Sequence, residues 1–156
     1  MDKSQAVLNF LQTCPVIQQN PLFFNFGNVQ DNAHQTSTRS DDVALHKPFI
    51  DGSVSRRFTF SIDSFKSVAY NPVVEGLTDE NLEDFQDVQS ILDWINAQDV
   101  LQNYPAFDPE FIIEKMETLT TKPELVGVDT TTTPPMAIYR ISIQIDYIDN
   151  SQRMWK

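Results

Sequence analysis

Tyr139-Arg140-Ile141-Ser142-Ile143-Gln144-Ile145-Asp146-Tyr147 alternates large apolar and polar side chains along its whole length. Successive side chains of a strand point to opposite faces, so this period of two specifies a strand with one dry face and one wet face. A sheet that is dry on one face needs a second layer to cover it. Little chain follows this strand, so the covering helices must come from earlier in the sequence.

Two segments supply them. After Thr78, the acidic residues Asp79, Glu80, Glu83, Asp84 and Asp87 load the first turns of a helix, where the positive end of the helix dipole favours them. Phe85, Val88, Ile91, Leu92 and Ile95 then recur at helical spacing as its buried stripe, with Trp94 at the margin. Residues 2–13 read as a second helix. Asp2 caps it, Gln5 stands three places on as a capping-box partner, and Ala6, Val7, Phe10 and Leu11 share one face before Pro15 ends it.

Other strands are legible from shorter alternations. Leu22, Phe24 and Phe26 fall on one side of Pro21–Phe26, and Phe58, Phe60 and Ile62 point inward from Arg57–Asp63. Val43–Ile50 reads as extended, with Pro48 confining it to an edge or a bulge. Asp51-Gly52 lies between these runs and predicts a hairpin. Residues 64–77 read as irregular, broken by Asn71-Pro72 and Gly76. Asp108–Leu119 carries two signals. Asp108-Pro109-Glu110 is a helix start, and Ile112, Met116 and Leu119 have helical spacing; Phe111-Ile112-Ile113 is strand-like. The final strand needs a neighbour, so the reading leans to a strand antiparallel to residues 137–148, with the helix left open.

Residues 28–42 read as a long, flexible polar loop, and residues 120–135, with Thr130-Thr131-Thr132-Thr133-Pro134-Pro135, as an extended arm. The expected fold is therefore α+β in a single domain spanning 1–156. It has a mostly antiparallel sheet of about four or five strands, with two or three helices packed on one face.

Composition bounds the function. A chain of 156 residues with 40% hydrophobic and 21% charged residues is globular in character, and eleven phenylalanines supply bulky core material. The net charge of −11, from 22 acidic and 11 basic residues, argues against binding nucleic acid by phosphate neutralisation. Four glycines form no phosphate-cradling loop. A lone Cys14 leaves no internal disulfide, and the polar start Met1-Asp2-Lys3-Ser4-Gln5 lacks the order of a signal peptide, so synthesis in the cytoplasm is expected.

The sequence offers no catalytic, cofactor or metal constellation. His34 and His46 have no Cys or His companion for zinc, and Cys14 has no paired base. His46-Lys47-Pro48-Phe49-Ile50-Asp51-Gly52 resembles the signature of chloramphenicol acetyltransferases, but Lys47 stands where that family has its catalytic histidine. A protonated lysine is no base at neutral pH, so the likeness does not extend to acetyl transfer.

Taken whole, the chain resembles the tail terminator (tail completion, minor capsid) family of tailed bacteriophages and prophages. The likeness is carried by Leu22-Phe23-Phe24-Asn25-Phe26, by the 46–52 segment above, by Ile91-Leu92-Asp93-Trp94-Ile95 and by the final strand. The resemblance implies a structural virion protein and not an enzyme. Such proteins form a ring, typically a hexamer, on the head-proximal end of the tail tube, meet the head–tail connector, and let DNA pass without specific binding. Another neck component, a connector or a tube subunit, is the nearest alternative, and a small cytoplasmic enzyme a more distant one. A closing ring needs head-to-tail contacts. Its candidate contact residues are Arg56, Arg57 and Arg140, pairing across subunits with Asp79, Glu80, Glu83 and Asp84. Asp146 on the wet face and Trp155 in the tail Gln152–Lys156 complete the set. Ordinary pairs within one chain are the competing expectation for the arginines, and a tail folded back over the sheet is the competing one for Trp155.

Overall fold

A computed structural model describes residues 2–24, 31–44, 51–68 and 80–151. Among these, the element order is α1 (Lys3–Leu11), α2 (Pro15–Gln18), β1 (Leu22–Phe24), β2 (His34–Ala44), β3 (Val54–Ser67), α3 (Glu80–Val100), β4 (Phe111–Thr118), β5 (Glu124–Asp129) and β6 (Met136–Asp149). The six strands form one sheet in the order β1-β2-β3-β6-β4, and β5 also pairs with β6. All pairings are antiparallel except β1 with β2. The α+β expectation holds, with slightly more strands than expected.

β3 and β6 are the spine. They pair without a break from Val54↔Asp149 to Ser67↔Met136, and their alternations are in phase. Phe58, Phe60 and Ile62 of β3 therefore share one face with Ile141, Ile143, Ile145 and Tyr147 of β6. Val7, Phe10 and Leu11 of α1, Ile17 of α2, and Val88, Ile91, Leu92 and Ile95 of α3 close over that face in one cluster. Full burial of such side chains stabilises the fold by roughly 1.5–3 kcal/mol each, so this cluster sets the architecture. Trp94 seals the margin against Phe10, with ring centroids 5.0 Å apart.

Local chemistry fixes the helix ends. Asp2 accepts from the Ser4 N–H at 3.4 Å, while Gln5 donates forward to Asn9 and not back to the cap. At the far end of α3, Gln102 takes φ 55° and the Asn103 N–H reaches back to the Gln98 carbonyl, a left-handed stop usually made by glycine. Asp99 Oδ1 accepts from the Met116 N–H at 2.9 Å and the Tyr104 hydroxyl at 2.8 Å, tying the end of α3 to β4. Burial, then that carboxylate, push the Tyr104 hydroxyl up to about 12.

α1 is also latched by charge. Lys3 Nζ lies 3.8 Å from the Phe111 ring centroid and 5.3 Å from that of Tyr147. The Phe111 and Tyr147 rings meet edge to face at 85°, forming two walls around the ammonium. Replacing Lys3 by Met keeps the stem and removes the charge; thermal unfolding should register a loss of about 1 kcal/mol.

Three expectations from the sequence change, and the leaning to a strand within 108–119 is borne out. Residues 34–42 are not loop but the body of β2, because Ser, Thr and β-branched side chains pair against β3 without needing an apolar pattern. Residues 64–67 continue β3 instead of breaking it. The arm 120–135 contains β5, held on β6 across a register shift between Leu125 and Gly127. The ambiguous segment is β4, antiparallel to β6, with a bulge between Ile113 and Lys115 that reconciles its mixed spacing. Residues 25–30, 45–50 and 69–79 lie outside the described residues, and with them the Asn25-Phe26 end of the Pro21–Phe26 strand expectation, most of the acetyltransferase-like segment and the strand expectation beyond Ala44.

Candidate functional site

The face of the sheet away from the helices carries the polar half of each alternation. Directly opposed pairs cross from β3 to β6 in the series Arg57↔Asp146, Thr59↔Gln144, Ser61↔Ser142 and Asp63↔Arg140. Arg57 binds Asp146 with two donors, Nε at 2.8 Å and Nη2 at 3.2 Å. Arg140 binds Asp63 in the same way, at 2.8 and 3.1 Å. These bidentate contacts match the planar guanidinium to the carboxylate and raise both arginine pKa values further. Lys115 adds a second cation 3.5 Å from Asp146, and Gln144 donates to Glu117.

The wet face is drier than its sequence suggests. Arg57 and Arg140 keep about a third of their side-chain exposure, whereas Asp146 is 4% and Ser142 and Gln144 each 9% exposed. Long paired side chains lie beside short ones, so the ladder shields its own short members.

The candidate contact residues separate into three groups. Arg56, Arg57 and Arg140 pair within the chain, Arg56 with Asp149 at 2.9 Å, and all three partners are strand carboxylates. Arg57 and Arg140 lie on the face away from α3, which carries Glu83 and Asp84, whereas Arg56 stands on the helix-facing side opposite Tyr147. Asp84 is half-buried near Tyr139, whose hydroxyl is raised by burial and then by that carboxylate. Glu80 opens α3. Asp79, Trp155 and the tail 152–156 lie outside the described residues.

Sequence reasoning missed the apolar edge. Ile112 and Leu119 around β4, and Leu125, Val126 and Val128 on β5, are all at least 38% exposed. β4 and β5 follow one another along the same side of β6, so these side chains border one continuous edge of the sheet. Leu125-Val126-Gly127-Val128 was the available signal, an apolar run inside an otherwise polar arm. At the other edge, Phe24 of β1 is 40% exposed.

His34 and Cys14, the candidate base and nucleophile, are both buried. His34 Nδ1 contacts Ser64 Oγ at 2.8 Å, a distance that suits a base and a nucleophile, but both residues are 0% exposed. Burial, then the charge of Lys66, lower the His34 pKa to about 4, so the ring is neutral at pH 7. Burial likewise pushes the Cys14 thiol up and away from the reactive thiolate. No group of three or more metal-ligating side chains occurs among the described residues. Compared with known families and with curated proteins, the chain matches none.

Proposed function

We propose that this chain is a structural part of a tailed-phage virion, a tail terminator that closes into a ring on the tail tube and meets the head connector. The observation that supports this best is the β4–β5 edge, which pairs with no further strand among the described residues and carries exposed apolar side chains. An uncovered edge presents unpaired N–H and C=O groups and invites pairing with another chain. The opposite edge is different, with the short β1 and Phe24. Two unlike edges on one sheet suit head-to-tail contact, which closes into a ring when the rotation permits. The net charge of −11 suits a conduit that repels DNA by like charge.

Negative-stain microscopy of the purified protein, with and without tail tubes, tests this reading. Rings and capped tube ends are expected, and the images give the copy number. Leu125→Lys with Val126→Lys places charge on the exposed edge, where the cost in stability should stay within about 1 kcal/mol. The variant should remain folded by circular dichroism and lose the rings. Absence of rings at high concentration together with absence of tube-end binding would sink the proposal, as would a strongly basic lumen.

A further inference from the structure

The inward face of the sheet turns polar at one end. His34 opposes Ser64 across β2 and β3, and Ser64 opposes Tyr139 across β3 and β6. Two residues further along β3, Lys66 points to the same side. Its side chain is only 3% exposed, which is rare for lysine unless the charge is paired. The ammonium lines a groove of about 400 Å³ between α2, α3 and the start of β2.

The partners of that ammonium are sparse. An ammonium carries three donors. Nζ donates to Asn32 Oδ1 at 2.6 Å, and the nearest carboxylate among the described residues, Asp87, stands off at 3.6 Å. Asp87 is itself 61% exposed, so it sits at the rim and not inside. The neighbours beneath add no negative charge, because His34 and Ser64 are neutral. Among the described residues the rest of the polar lining is amide: Gln19, Asn20 and Asn32. Asn32 spends its oxygen on Lys66, which leaves its NH₂ group to donate. Asn20 uses its NH₂ group for one bond, to the Val16 carbonyl. A buried cation flanked by amide donors is complementary to an anion.

We infer that this groove is a carboxylate-binding site, with Lys66 supplying the charge and Asn32, Asn20 and Gln19 the orienting amides. A carboxylate fits better than a phosphate. Among the described residues no arginine lines the groove, and Asp87, 3.6 Å from the Lys66 ammonium, repels a dianion more strongly than a monoanion. The carboxylate has two sources, a free small acid or an Asp or Glu side chain of a second copy. Only the second source rests on the ring reading; the site itself stands without it.

Two arms of one experiment separate these sources. In the first, the full-length ¹⁵N-labelled protein is titrated with acetate at constant ionic strength, with chloride and inorganic phosphate as controls. Saturable shifts are expected at the Asn20 and Asn32 side-chain amides and at His34, whose titration should move upward once the Lys66 charge is neutralised. The shifts should vanish in Lys66→Met and tighten in Asp87→Asn. Asn32→Asp serves if Lys66→Met does not fold. It retains the lysine, places a carboxylate beside it, and suits the left-handed backbone at φ 65° that Asp tolerates; acetate binding should again be lost. In the second arm, sedimentation velocity follows self-association. A side chain of a second copy as the source predicts that acetate and Lys66→Met each weaken association, whereas a free acid predicts no effect of either. Shifts that persist unchanged in Lys66→Met and Asn32→Asp would overturn the inference. So would no saturable acetate shift combined with self-association indifferent to Lys66.

Discussion

Replacing Ile143 with alanine should lower the stability of the fold by about 3–4 kcal/mol. Ile143 is 0% exposed at the middle of β6, opposite Phe60 on β3 and Thr118 on β4, under the helical layer. The substitution removes three carbons from a place where three elements meet, so the surroundings collapse poorly and a cavity remains. Its chain neighbour Ser142 faces the other side, and Ser142→Ala should cost about 1 kcal/mol or less. Urea unfolding followed by circular dichroism reads both. Equal costs would mean that the assignment of the two faces of β6 is wrong, and with it the packing of α1, α2 and α3.

Acid should weaken this protein through one residue in particular. In the unfolded chain His34 takes a proton near its ordinary value of 6.5; in the fold it resists protonation down to about 4. Between these values the unfolded state binds more protons, so stability falls as the pH falls through this window and levels off, for this residue, below about 4. The full shift corresponds to about 3 kcal/mol, a large part of the margin of a small domain. Paired carboxylates add their own losses as they protonate. Asp149 is one, held below its usual range by its hydrogen bonds and Arg56 despite the opposing effect of burial. The difference between the native protein and His34→Gln isolates the histidine. Unfolding free energies measured from pH 7 to 4 should fall more steeply for the native chain, and parallel curves would refute the assignment.

Legibility in the sequence followed the contrast between the two sides of an element. β6 and α3 each put apolar residues on one side and polar residues on the other, so their periods read directly, and so did the helical stripe Val88, Ile91, Leu92 and Ile95. β2 has no such contrast. His34 and Thr36 are buried, yet their neighbours are Gln, Ser and Thr, so nothing in the pattern separates inside from outside. β4 was ambiguous because its bulge breaks the period of two in mid-strand. Charge alone does not give the distance to a partner. Arg57 and Arg140 look like surplus cations in an acidic chain until the register sets each beside an aspartate of its own sheet. Burial of a lysine, as at Lys66, leaves no mark in sequence.

Those two arginine–aspartate pairs also act as a vernier on the sheet. β3 and β6 are fourteen residues each, and a slip by any even number of residues would keep every dry side chain on the dry face. Hydrophobic patterning is blind to such a slip; the charges are not. A shift of two leaves Arg57 opposite Gln144 or Ile148 and Asp63 opposite Ser142 or Ile138. A shift of six sets Arg57 against Arg140 in one direction and Asp63 against Asp146 in the other. Crossed polarity at the two ends of the ladder thus admits one alignment of two long strands, a way of rejecting misfolded sheets that pairs of this exposure achieve even when each contributes little to stability.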